Sequence, residues 1–182
     1  MELTATYVIP QIFTIIMYGF LASTYFAKNR KNILILNFFG LIANGIAYVF
    51  LKAYTGLAMC FVSICRNIIF LIDEKKYGKS DKIIKKDFII LIVLYVITII
   101  LTIFTYDDIL SLLSVLATMI GTFSVWQKKT NIYKILGIPI SLSWISYNIY
   151  IKSLFGIILE TILLICSITG YLLEIRKNKL EE

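Results

Sequence analysis

The chain has 182 residues, of which 59% are hydrophobic and 16% charged, with mean hydropathy +0.87. Soluble domains run near about 50% apolar and about 25% charged, and seven membrane helices use about 140 residues. That excludes a large soluble domain and makes an ordinary soluble enzyme a poor fit. The net charge of +7 suggests nucleic acid as a partner only until the basic residues are placed against the apolar segments.

Seven apolar runs follow one another: residues 8–27, 33–51, 54–72, 88–104, 109–126, 132–151 and 154–173. Each is long enough to cross the hydrocarbon of a bilayer as a helix. Only helices and closed barrels satisfy their backbone in lipid, and these runs lack the alternation of barrel strands. The expected fold class is therefore all-α, a polytopic membrane protein with seven transmembrane helices. The first run is followed, not preceded, by Lys28, Arg30 and Lys31. A cleaved signal peptide carries its positive charge first, so this run is expected to stay as a mature helix, with Pro10 at its opening.

The basic residues sort by side. Lys28, Arg30 and Lys31 follow the first run, and Lys75, Lys76, Lys79, Lys82, Lys85 and Lys86 lie between the third and fourth. Lys128, Lys129 and Lys134 surround the turn between the fifth and sixth, and Arg176, Lys177 and Lys179 follow the last. These are fifteen of the 18 basic residues; Lys52 and Lys152 fall on the other side and Arg66 within a run. The positive-inside rule then places the N-terminus outside and the C-terminus in the cytoplasm. The charge marks a membrane face, and nucleic acid is not an expected partner. The stretch 73–87 reads as a cytoplasmic loop whose lysines can meet anionic headgroups.

The sequence partly repeats itself at an offset of 100 residues. Lys28 falls on Lys128, Leu36 on Leu136, Lys52 on Lys152, Gly56 on Gly156, Ile68 on Ile168 and Glu74 on Glu174. Runs 1–3 and runs 5–7 turn at the same places, with the fourth between them. Three helices reverse the chain and a fourth restores its direction, so the two units are parallel, one of the known transporter plans. The expected division is a first three-helix unit over 1–74, a loop and linker helix over 75–108, and a second unit with a short tail over 109–182.

Scarce polar residues within the runs carry the functional expectation. Asn37, Asn44 and Tyr48 share one face of the second run, and Ser141, Trp144 and Asn148 one face of the sixth. The offset places Asn44 on Trp144 and Tyr48 on Asn148, so both stripes could line a cavity with amides and rings. The bland alternative is that they join helices, for well under about 2 kcal/mol per bond. Arg66 and Glu160 are ionisable residues deep in the third and seventh runs, where a charge normally faces a partner or water. Glu160 could also carry a proton if burial raises its pKa. Pro139 inside the sixth run removes a backbone hydrogen bond and could act as a hinge.

The chain contains no histidine. That removes the commonest metal ligand and general base. Cys60, Cys65 and Cys166 fall in apolar runs without ligand spacing and read as small buried residues. With no Gly-rich phosphate loop either, neither an enzyme nor a cofactor is expected. Asp107 and Asp108 read as caps of the fifth helix.

Trp144, Asn148, Ser153, Gly156 and Glu160, with the segment Gly-Tyr-Leu-Leu-Glu-Ile-Arg-Lys from Gly170, resemble the YgjV-type bacterial inner-membrane protein family. Gln11 and Arg66 sit where that family has a glutamine and an arginine. The family in turn resembles the group of SWEET and PnuC-type nicotinamide riboside carriers. That likeness implies a 3+1+3 helix arrangement with a central pocket, and makes Gln11 a further binding candidate. The leading expectation is a facilitative inner-membrane carrier of a small polar solute, sugar-like or nucleoside/vitamin-like. Asn44, Tyr48, Trp144, Asn148, Arg66, Glu160 and Gln11 would bind solute, with Pro139 as hinge. The alternative is a non-transporting receptor or assembly protein on a carrier-like fold. Half-size carriers of the group dimerise, so a homodimer stands beside a single working chain.

Overall fold

A computed structural model describes residues 5–51, 54–77, 85–105, 111–150 and 152–181. Among these the chain is all-helical, with seven helices: α1 (Ala5–Phe26), α2 (Arg30–Leu51), α3 (Tyr54–Tyr77), α4 (Lys85–Thr105), α5 (Ser111–Trp126), α6 (Thr130–Tyr150) and α7 (Leu154–Glu181). Each apolar run forms one helix. α3 and α7 continue through Tyr77 and Glu181, past the apolar runs, because charged turns lose nothing by standing in water. α1 begins at Ala5 rather than Val8, so Pro10 lies inside the helix, fully buried, and not at its opening. Asp107 and Asp108, and most of the loop after Tyr77, lie outside the described residues.

Among the described residues, four helices contain spans long and apolar enough to cross a membrane: Val8–Phe26, Arg30–Leu51, Lys86–Phe104 and Leu154–Lys177. The pattern of exposure agrees with lipid as solvent. Large apolar side chains point outward on all seven helices, among them Ile15, Phe39, Phe61, Phe104, Leu116, Leu142 and Leu172, while Arg30, Asn37, Arg66, Asn67, Lys134 and Glu160 are buried. Water would impose the reverse order, whereas a hydrocarbon solvent rewards internal pairing of polar groups.

The chain forms two compact units, Met1–Gly78 and Lys79–Glu182. In the first, α2 packs against both α1 and α3 through small residues. Gly40, Ala43 and Ala47 lie along its buried stripe, and a methyl group at Gly40 would stand 3.4 Å from Phe20 Cβ and 3.5 Å from the Met17 carbonyl. Such small-residue stripes let membrane helices approach closely. The turn into α2 is capped by Asn29, whose Oδ1 accepts from the Asn32 N–H at 2.9 Å.

In the second unit α4 packs against α5. The Tyr95 hydroxyl donates to the Met119 carbonyl at 3.2 Å, and the Trp126 indole N–H to the Asp87 carbonyl at 2.8 Å. α6 follows α5 through a three-residue turn held by Gln127, which donates through Nε2 to the Ser124 carbonyl (2.8 Å) and accepts at Oε1 from the Lys129 N–H (2.6 Å). α6 stays helical through Pro139.

Candidate functional site

In the first unit the polar side chains join α2 to α3 at two levels. Arg30 Nη1 meets Glu74 Oε2 at 2.6 Å, and the guanidinium lies 5.7 Å from the centre of the Phe70 ring. One level deeper the Asn67 amide donates to Asn37 Oδ1 at 3.3 Å, with both residues buried. Toward the other end Cys60 Sγ donates to the Leu41 carbonyl at 3.0 Å. Asn37 therefore faces α3, while Asn44 and Tyr48 further along the stripe are half-buried. Arg66 is buried beside Asn67 in α3, and Gln11 is half-buried on α1.

The second unit joins α6 to α7 in a related way. Lys134 Nζ meets Glu174 Oε2 at 2.5 Å, and the Thr130 hydroxyl donates to the other oxygen of the same carboxylate. The Ser167 hydroxyl, fully buried, donates to the Lys134 carbonyl at 2.6 Å. Ser141 and Glu160 are buried on α6 and α7. Trp144 is half-buried, its ring edge-on to Tyr147 at 5.9 Å between centroids.

Asn148 belongs to the joint between α6 and α7. Its amide nitrogen donates to the Trp144 carbonyl at 2.9 Å, and its side-chain oxygen lies where a methyl group on Gly156 would go. The joint has the geometry of a Schellman motif. Ser153 N–H bonds to the Asn148 carbonyl at 2.9 Å and Lys152 N–H to the Ile149 carbonyl at 3.1 Å, with Lys152 at φ 56°. Ser153 then caps α7, accepting from the Gly156 N–H at 3.2 Å.

The family model described as Imp-YgjV, bacterial inner membrane protein, matches residues 8–178. The chain belongs to this family. It is thereby a bacterial inner membrane protein, in agreement with its outward apolar side chains. No curated protein and no solved structure matches the chain.

Of the residues singled out in the sequence, the structure brings together Trp144 and Asn148 on α6 and places the motif residues Ser153 and Gly156 against Asn148. Arg66 and Glu160 lie in different units, and each is buried on its own helix. Lys134 and Arg30 need correction as simple loop charges: both are buried inside helices, because Glu174 and Glu74 supply their counter-charges. Asn67 and Ser167 were missed altogether. The signal that finds them is their shared position in the 100-residue offset, together with a full burial that apolar averaging of the sequence conceals.

Proposed function

We propose that this inner membrane protein is a facilitative carrier of a small polar solute, built from two three-helix units that alternate access, with α4 as the linker between them. All seven helices cross the bilayer in this reading, with the N-terminus outside and the C-terminus in the cytoplasm. The observation that carries it is the recurrence of one internal tie. Glu74 on α3 and Glu174 on α7 are 100 residues apart, and each binds a buried cation near the start of the preceding helix. Asn67 and Ser167, also 100 residues apart, are each fully buried and each hydrogen-bonded to that same preceding helix. The two carboxylates share the offset while their cations, Arg30 and Lys134, differ from it by four residues, about one helical turn. Such a recurring charged tie supports a duplicated unit more strongly than apolar identities do, since apolar matches arise cheaply among membrane helices. Duplicated units are a recurring basis of alternating access.

Asn44, Tyr48 and Trp144 are the half-buried members of the paired stripes, and they contact solute. Asn148 fixes the last turns of α6 and so places Trp144. Gln11 adds an amide from α1, Arg66 and Glu160 orient or gate the solute, and α6 hinges at Pro139. Buried ionisable groups in a membrane protein are costly and mark such pathways by default.

The test is thermal stabilisation of the purified protein by a panel of sugars, nucleosides and vitamins, followed by uptake of each hit into proteoliposomes. A ligand stabilises by RT ln(1 + [L]/Kd), so millimolar concentrations expose weak binders. One solute class stabilises the protein and is taken up, and both effects disappear in Trp144→Ala and Asn44→Ala. A hit that stabilises wild type and both variants equally overturns the assignment of the site. Binding without uptake overturns the carrier reading in favour of a receptor.

A further inference from the structure

The first unit carries a groove of about 530 Å³ between α2 and α3, lined by Lys31, Phe38, Ile68, Leu71, Ile72, Glu74 and Lys75. We propose that it binds one anionic glycerophospholipid, with its phosphate at Lys31 and Lys75 and an acyl chain along the apolar floor. The proposal rests on the membrane assignment and is independent of the carrier reading.

Three observations select this occupant. The first is charge. Glu74 is neutralised by Arg30 at 2.6 Å. Lys31 and Lys75 are exposed and, among the described residues, have no ion-pair partner. The rim thus offers two positive charges to an anion. The second is polarity. The floor is Phe38, Ile68, Leu71 and Ile72, with Ile72 63% and Ile68 41% exposed. A free phosphate or sugar phosphate would leave that apolar surface uncovered, and a neutral hydrocarbon would leave the lysines unused.

The third is order along the axis. α2 begins at the end where α3 finishes, as the Arg30–Glu74 pair requires. Lys31 precedes Phe38 by seven residues, and Lys75 follows Ile68 by seven. Both helices therefore place their lysine about 10 Å from the far end of the floor at Phe38 and Ile68, in the same direction, with Leu71 and Ile72 between. A groove charged at one end and greasy at the other matches a lipid, whose headgroup stays at the membrane surface while its chain descends. The cost of ordering one chain is offset by the apolar surface it covers and by the attraction of each lysine for an anionic headgroup.

The experiment titrates the full-length, delipidated protein in neutral detergent with phosphatidylglycerol, with phosphatidylcholine of the same chains, and with glycerol 3-phosphate, reading the melting temperature and native mass spectra. Phosphatidylglycerol gives a saturable upward shift and a one-lipid adduct; the other two give neither. Lys31→Gln with Lys75→Gln weakens the apparent affinity about 30-fold. Lys31→Arg with Lys75→Arg retains it, as does Lys177→Gln with Lys179→Gln on the tail. Ile72→Asn weakens binding through the floor alone, with both lysines in place. Equal effects of the two lipids overturn the proposal, because they indicate unspecific solvation. An equal effect of glycerol 3-phosphate reduces the groove to a phosphate site and overturns it too. So does a phosphatidylglycerol shift that survives the double glutamine variant, or the absence of any saturable shift, which would leave the groove to a protein partner or a second copy.

Discussion

The side-chain oxygen of Asn148 fills the space that a β-carbon on Gly156 would need, and Ser153 Oγ stands 2.9 Å from that same point. Glycine at 156 is thus dictated by a neighbour's side chain and not by backbone conformation. Gly156→Ala forces Asn148 to leave the Trp144 carbonyl or α7 to shift outward. The expected loss is about 1–3 kcal/mol, the usual cost of overpacking, measured by reversible unfolding in mixed micelles. Because the nearest obstacle is the Asn148 amide, with Ser153 Oγ a lesser one, Asn148→Ala recovers part of the loss in the double variant. Simple additivity of the two substitutions would mean that the clash is relieved elsewhere.

The same joint contains a second constraint. Lys152 stands at φ 56° as the residue that closes α6. A side chain in the left-handed region costs about 1 kcal/mol, and glycine pays no such penalty. Lys152→Gly therefore stabilises the protein or leaves it unchanged, against the trend that glycine substitutions destabilise. Lys152→Val, branched at Cβ and less tolerant of positive φ, destabilises it. The order of melting temperatures, Gly at or above Lys and Lys above Val, is the check.

These two positions show where sequence reading succeeds and where it stops. Gly156 is visible as a repeat partner of Gly56 and as part of a family-like motif, but its reason lies in Asn148, eight residues earlier. The helices themselves were legible because membrane spans are written in composition, averaged over about 20 residues. Side-chain pairing is not averaged. Lys134 looks like a member of the basic cluster that follows α5, and only the approach of Glu174 across the helix pair makes it an internal residue. Helix ends were displaced for a related reason: hydropathy marks where lipid ends, whereas the backbone stays helical as far as Tyr77 in α3 and Glu181 in α7.

The Lys134–Glu174 pair, with side chains 6% and 17% exposed, predicts strong asymmetry between single and double substitution. Lys134→Met leaves the Glu174 carboxylate with only the Thr130 hydroxyl, and should cost about 3–5 kcal/mol, the range for breaking a buried pair. Lys134→Met with Glu174→Leu removes both desolvation penalties and recovers most of it. The Arg30–Glu74 pair, at 7% and 14% exposure, should behave alike in Arg30→Met and Arg30→Met/Glu74→Leu. Double-mutant cycles on the two units should each return coupling above about 1 kcal/mol. Weak coupling in both would show surface-like pairs and remove the internal tie on which the duplicated unit rests.

Trp126 tests the attachment of α4. Its ring is buried, and its indole N–H reaches the Asp87 carbonyl in the first turn of α4. Position 26, its counterpart at the 100-residue offset, is Phe, which is exposed and donates no such bond. Among the described residues the first unit has no helix equivalent to α4 to hold, and the difference accords with the extra helix of the second. Trp126→Phe keeps an aromatic ring but removes the donor and the second ring of a buried indole. It should cost about 1 kcal/mol for the neutral hydrogen bond and more for the volume left empty. Protease sensitivity should rise at the segment preceding α4 while α6 and α7 stay protected. A uniform loss of protection across the second unit would instead make Trp126 a general packing residue, with no special part in fixing α4.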